Sequence, residues 1–404
     1  MGCNKITKSV SLAILLAILV SFCYFFDFSI TDKRFYSSVE AKGNIVKVSS
    51  IVESPILIDA QASGIGAHNW TWASSQPWCN GSGTKEEPYC ISYLKIDGNG
   101  VSNCVEIRNS LTTFFIIKDC ILYNAGDNET GNTAANIMLI NSRNGKILSN
   151  DIANYSLQVT GITVKSKAGG GIVSDNCSSI EIVGNSIFNN RLNGIGVFGS
   201  HKINVSSNII TNHVFSGIEV REDCEFVNIV QNQLIDDSDA IAFQNMSHII
   251  ILRNSIIGSL STGIIGIDAQ DARIESNTIR DCTFGIEYEN VNSTVVISNQ
   301  IKDNGYGIRF WWSDSNSVTE NSIVDNSNCP LYLLSSNYNS FSRNIITGNV
   351  ESLTQIGCVG NRFENNIIFN RPDLYFVITV VVLVGIAGAI GRGIYRKRKK
   401  RKLE

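Results

Sequence analysis

Between residues 92 and 370 apolar and polar residues alternate in short runs, as in Ile218-Glu219-Val220 and Ile286-Glu287-Tyr288. A period of two puts one side of an extended strand in a core and the other outside. Asn, Gly and Ser gather between the runs and no helical period shows there, so each run predicts a short strand closed by a tight bend.

The runs keep phase over long distances. A phrase made of a polar residue, Asn, any residue and an aliphatic one occurs as Ser149-Asn150-Asp151-Ile152 and returns around Asn185, Asn208, Asn232, Asn254, Asn277, Asn299, Asn321 and Asn344. It ends as Glu364-Asn365-Asn366-Ile367, with Asn365 in the phrase position. After a first gap of 35, the Asn-to-Asn spacings are 23, 24, 22, 23, 22, 22, 23 and 21. Eight or nine residues after each Asn a second phrase follows: Gly194-Ile195, Gly217-Ile218, Ala240-Ile241, Gly263-Ile264, Gly285-Ile286 and Gly307-Ile308.

A period of about 22 with roughly three strands predicts an all-β solenoid of parallel coils. One coil cannot bury its own apolar side, but coils stacked at ~4.8 Å share a continuous core. About eleven coils fit between Ser92 and Asn370, a rod of roughly 50 Å. The asparagines from Asn185 to Asn344 are expected to form a structural ladder at one bend, each amide bonding backbone and the Asn of the next coil.

The two ends read differently. Lys5 and Lys8 precede the apolar run Ser9 to Phe26, so residues 1–41 resemble a signal peptide or a retained signal-anchor, with Val39-Glu40-Ala41 as a small-residue cleavage site. Residues 42–91 are expected to be an N-terminal cap leading into the coils at 92–370. Leu374 to Gly391 is uncharged for 18 residues, about the minimum for a bilayer core, so 374–395 predicts a transmembrane helix. The basic tail 396–404 should then be cytoplasmic, which leaves the repeats outside the cell membrane. Without the eight bases from Arg392 to Lys402, Lys5, Lys8 and Glu404, 23 bases face 35 acids, a balance of about −12. Such a body repels nucleic acid, which is excluded as a partner.

Of eleven cysteines, Cys3 and Cys23 lie in the N-terminal segment, and the remaining nine cannot all pair. Cys79 and Cys90 flank a Gly-rich turn and could close a disulfide in an oxidising compartment. Cys224, Cys282, Cys329 and Cys358 sit singly in apolar surroundings or at turns, where free thiols behave as small hydrophobes. With no C-x-x-C pair and with His68, His201, His213 and His248 dispersed, neither a metal nor another cofactor is expected.

The repeat phrases resemble those of the right-handed parallel β-helix families related to pectate lyases, especially NosD-like surface proteins. Gly81-Ser82-Gly83-Thr84 to Glu87-Pro88-Tyr89-Cys90-Ile91, followed by Ile96-Asp97-Gly98, is similar to the segment that leads into the first coil of those proteins. The resemblance covers roughly residues 55 to 370 and implies the fold; one fold hosts many functions.

Candidate chemistry is sparse. Asp236-Asp237-Ser238-Asp239-Ala240-Ile241-Ala242 faintly resembles the Asp-Asp-x-Ile-Ala of polygalacturonases, with Ser238 in place of an aspartate and the partner motifs absent. An acidic turn between coils is the plainer reading. Copper binding, which the NosD likeness implies, would want clustered soft ligands that the sequence lacks. One surface stands out. Residues two and four after each Gly of the Gly-Ile phrase point outward, giving Glu219 and Arg221, Glu287 and Glu289, and Arg309 and Trp311, with Gly196, Phe198, Ala242 and Gln244 in equivalent positions. These are expected to form one continuous strip with Trp311 as an exposed stacking ring. The coil Gly263-Ile264-Ile265-Gly266-Ile267-Asp268 fits this register less cleanly. The sequence therefore favours a membrane-anchored, non-catalytic surface protein that binds a polysaccharide or a cell-surface protein; the alternatives are a polysaccharide lyase or hydrolase and a NosD-like maturation factor.

Overall fold

The computed structural model describes residues 51–126, 134–153, 169–348 and 353–370. The segments read as signal and transmembrane span lie outside them, and among the described residues no helix is long and apolar enough to cross a membrane.

One coil shows how the alternation becomes structure. Ser216–Arg221, Glu225–Val230 and Gln233–Ile235 are three strands. Each lies parallel on its counterpart one coil later, with Ile218 opposite Ile241, Val227 opposite Ile249 and Leu234 opposite Ile256. Ile218, Val220, Val227, Ile229 and Leu234 point inward and are fully buried. Repetition gives a right-handed, all-β parallel solenoid of about eleven coils. One of its sheets has thirteen strands, from Ile51–Glu53 to Ile367–Asn370.

The bends explain the recurring phrase. The residue before the ladder Asn adopts left-handed backbone geometry, with φ of 53 to 59° at Ser149, Ser207, Gln231, Arg253, Ser276, Ser298, Glu320 and Arg343. That turn swings the Asn side chain into the bend. Left-handed geometry is unfavourable for most of these residue types, and the buried hydrogen bonds of the Asn offset it. In the Gly-Ile phrase, a Cβ at Gly217 would sit 2.8 Å from the Ala240 carbonyl oxygen of the next coil, so close coil-to-coil approach fixes that glycine.

Parallel stacking begins earlier than expected. Ile51–Glu53 and Ile56–Asp59 already pair with Leu94–Asp97 and Val105–Arg108, so part of the expected cap belongs to the stack. The first coil is elaborated by a short helix, Trp70–Ser74, whose N-cap Asn69 accepts from the Trp72 amide at 3.1 Å. Trp70 stacks on Tyr89 at 4.9 Å and donates its indole N–H to Ser110 Oγ at 2.9 Å. The irregular coil at Gly263 to Asp268 keeps register: Gly266 lies between Phe243 and Tyr288 in an inward column, and its missing side chain leaves room for the Phe243 ring.

Candidate functional site

The asparagines form a continuous buried ladder. The backbone N–H and Nδ2 of Asn277 both donate to Asn299 Oδ1, at 2.9 and 3.0 Å, while Nδ2 also donates to the Ile251 carbonyl at 2.9 Å. The same arrangement links Asn185, Asn208, Asn232, Asn254, Asn277, Asn299, Asn321 and Asn344. The final member is Asn366, which accepts from Asn344 at 2.8 and 2.9 Å. The phrase points to Asn365; that residue takes the left-handed turn position instead, with φ 54°, because the ladder residue must follow the turn.

A second column went unrecognised in the sequence because its residue type varies. Five positions after successive ladder asparagines stand Asn190, His213, Asp237, Ser259, Cys282, Asn304 and Asn326. The side-chain Oδ1 of Asn304 accepts the Cys282 amide at 2.9 Å, and Asn326 accepts from Asn304 at 3.1 Å. The constant offset, not the residue type, was the available signal. Asp237 belongs here, fully buried, its Oδ1 accepting the His213 backbone N–H at 3.0 Å and facing His213 Nδ1 at 2.7 Å. Its Oδ2 has no partner. The acidic run is thus split. Asp236 takes a turn with φ 56°, and its carboxyl is held above the usual range by burial and the neighbouring Asp237. Asp239, further on, accepts the Thr262 amide at 3.0 Å. The run is neither a simple acidic turn nor a carboxylate cluster.

Cys177 and Cys224 belong to such a column too. Ser142, Cys177, Ser200 and Cys224 follow one another, each side chain receiving the amide of the one before at 2.9 to 3.4 Å. All nine described cysteines are free thiols, Cys79 and Cys90 included. Their strands, Cys79–Asn80 and Tyr89–Ser92, pair antiparallel with Cys79 opposite Ile91 and Asn80 opposite Cys90, so the cysteines are offset by one residue and their side chains leave opposite faces. Burial pushes the thiols of Cys104 and Cys120 up to about 12 and those of Cys177, Cys224 and Cys282 to about 11.

The outward residues align across coils. Glu219 lies between Gly196 and Ala242, and Ile265, Glu287, Arg309 and Tyr332 follow in the same column. Beside it run Ile267, Glu289, Trp311 and Leu334. The expected continuous strip is therefore interrupted, since Ala242 and Ile265 separate two patches. In the first, Glu219 accepts a hydrogen bond from Asn193 Nδ2, and the Arg221 guanidinium lies 4.5 Å from the Phe198 ring centre and 3.4 Å from Glu222.

The second patch is a packed cluster. Arg309 pairs with Glu287, whose Oε2 also accepts from the Thr262 hydroxyl at 3.3 Å. The guanidinium lies 4.0 Å from the ring centre of Phe284, 4.5 Å from that of Trp311 and 6.0 Å from that of Tyr306, all within cation–π range. Phe284 and Tyr306 stack at 5.2 Å. Trp311 leaves the sheet outward but is half-buried, and its Nε1 has no partner. This corrects the expectation of an exposed Trp311: long side chains on strands ~4.8 Å apart must lie over one another, and Arg309 covers it. Trp312 is the open ring. It occupies the bend with φ 46°, is 53% exposed, and meets Trp311 edge-on at 6.0 Å. Among the described residues no group of three or more His, Cys, Asp or Glu is placed to hold a metal ion.

The A-module of a mannuronan C-5 epimerase of Azotobacter vinelandii is 12% identical and aligns over 70% of this chain and 85% of its own, with a TM-score of 0.46. A surface adhesin of Streptococcus pneumoniae is 13% identical over 70% and 82%, with a TM-score of 0.41. The tailspike protein of Dettilon is 13% identical over 68% and 61%, with a TM-score of 0.50. At such identities the likeness concerns the fold alone. No curated protein matches in sequence. A family model described as the right handed beta helix region matches residues 170–323 and 239–373, together just over half of the chain. It is to the right-handed β-helix family that this protein belongs.

Proposed function

We propose that this protein is a membrane-anchored, extracytoplasmic solenoid whose second patch binds a polysaccharide without catalysing its breakdown. The observation that carries the reading is the aromatic cluster: Trp312 exposed, Trp311 edge-on beside it, and Arg309 packed against the rings of Trp311 and Phe284, with Tyr306 stacked on Phe284. A ring held by packing offers a sugar face large contact area with little side-chain entropy left to lose. Glu289, opposite Trp311 on the neighbouring strand, adds a polar rim for hydroxyl groups. Glu287 and Arg309 are committed to each other and serve as scaffold. The exported location rests on the apolar run behind Lys5 and Lys8, and the anchor on Leu374 to Gly391 with its basic flank.

The test is retention on a panel of immobilised polysaccharides. Trp312→Asn should weaken retention roughly 10-fold or more, the loss of about 1.4 kcal/mol or more of stacking. Its melting temperature should hold, because Asn tolerates the left-handed bend. Unaltered retention of that variant on every polysaccharide that holds the natural chain would refute the reading.

A further inference from the structure

Among the described residues the final coil is open on one side. Its strands Leu353–Ile356, Arg362–Glu364 and Ile367–Asn370 pair with Cys329–Leu334, Ser340–Ser342 and Ile345–Gly348, and no described strand pairs with their other edge. Core positions are correspondingly uncovered. Ile346 is 0% exposed and Ile368, one coil later, 41%; Leu353 and Phe363 are half-buried where Leu331 and Phe341 are sealed. Gln355 stands in the column of Phe310 and Leu333. Ile356, Val359 and Ile367 are also exposed. An open parallel edge rimmed with aliphatic residues invites association with whatever lies nearest.

We infer that this end of the solenoid rests on the phospholipid surface, with Val359 and Ile367 in contact with lipid; the inference depends on the anchor reading above. Only Arg371, Pro372 and Asp373 separate Asn370 from Leu374. Four Cα-to-Cα steps reach at most about 14 Å, and the headgroup layer is itself roughly 5–8 Å deep on each side. The last coil therefore cannot stand clear of the bilayer. A second copy is a poor occupant of the same edge, because two copies anchored in one membrane point their final coils into the lipid and not toward each other. An interfacial position suits the composition, with aliphatic side chains at the acyl boundary and edge amides among headgroups and water.

The experiment uses the full chain in phosphatidylcholine and phosphatidylglycerol vesicles, with p-benzoylphenylalanine replacing Val359, Ile367 or, as a control remote from the end, Leu260, which is 72% exposed. After irradiation, mass spectrometry should find phospholipid adducts at 359 and 367 several-fold above those at 260. Vesicle flotation reports the anchor independently. A chain that floats yet shows no lipid adduct above the control, or whose 359 and 367 probes join two copies, overturns the inference while leaving the anchor standing. A chain that does not float overturns both.

Discussion

Replacing Asn277 with Ala tests the ladder where it is most regular. The side chain receives the backbone N–H and Nδ2 of Asn254 at 2.8 and 3.0 Å and donates to Ile251 and Asn299. Truncation leaves the Asn254 amide N–H, buried at the bend, without its acceptor, and takes a donor from the Ile251 carbonyl. At about 1–3 kcal/mol for each buried group left unpaired, and with Asn254 Nδ2 still held by Ile229 at 2.9 Å, the cost should be about 2–4 kcal/mol. For a body of this size that corresponds to a fall in melting temperature of roughly 4–10 °C. Asn277→Asp separates hydrogen bonding from volume, since Oδ1 still accepts from Asn254 but the second oxygen faces the Ile251 carbonyl and Asn299 Oδ1. It should destabilise as well. Thermal melts by circular dichroism give the magnitude, and hydrogen exchange at the Asn254 amide gives the location. Wild-type melting together with unchanged protection of that amide would show that the ladder contributes nothing at this coil.

The second column leads to a prediction of opposite sign. Asp237→Asn should keep the acceptor for His213 and give the partnerless Oδ2 position a donor, as Asn304 Nδ2 donates to Ile279 at 3.2 Å; the gain should be about 1–3 kcal/mol. A destabilised variant in denaturant titration would refute the reading that the unpartnered Oδ2 costs stability at this bend. Thiol reactivity is a further check: with Cys104 and Cys120 pushed to about 12 and Cys177, Cys224 and Cys282 to about 11 by burial, the native protein near pH 8 should react quickly with an aromatic disulfide reagent only at Cys90 and Cys358 among the described residues. Fast modification of Cys104 or Cys120, mapped by mass spectrometry, would contradict the burial.

The period, the strand alternation and the Asn ladder are legible along the chain, because in a solenoid each residue meets its equivalent one coil away. Like therefore stacks on like, and the spacing of Asn208, Asn232 and Asn254 already states the contact. The sequence also marks which residues face outward, since Glu287, Arg309 and Trp311 follow from an offset after Gly. Three features escaped it. The roles of Trp311 and Trp312 depend on how Arg309 folds over its neighbours, which is decided by side-chain volume and charge across three coils. Asp237 turned inward because its column is defined by position in the bend, where Asn, His, Ser and Cys also stand and no single residue type marks the position. The break in the outward strip arises at Ala242 and Ile265, whose effect on a surface appears only when strands far apart in the chain lie side by side. Pairwise stacking is periodic and can be read along one dimension; the exposure of a side chain depends on everything packed around it, and that is settled only in three.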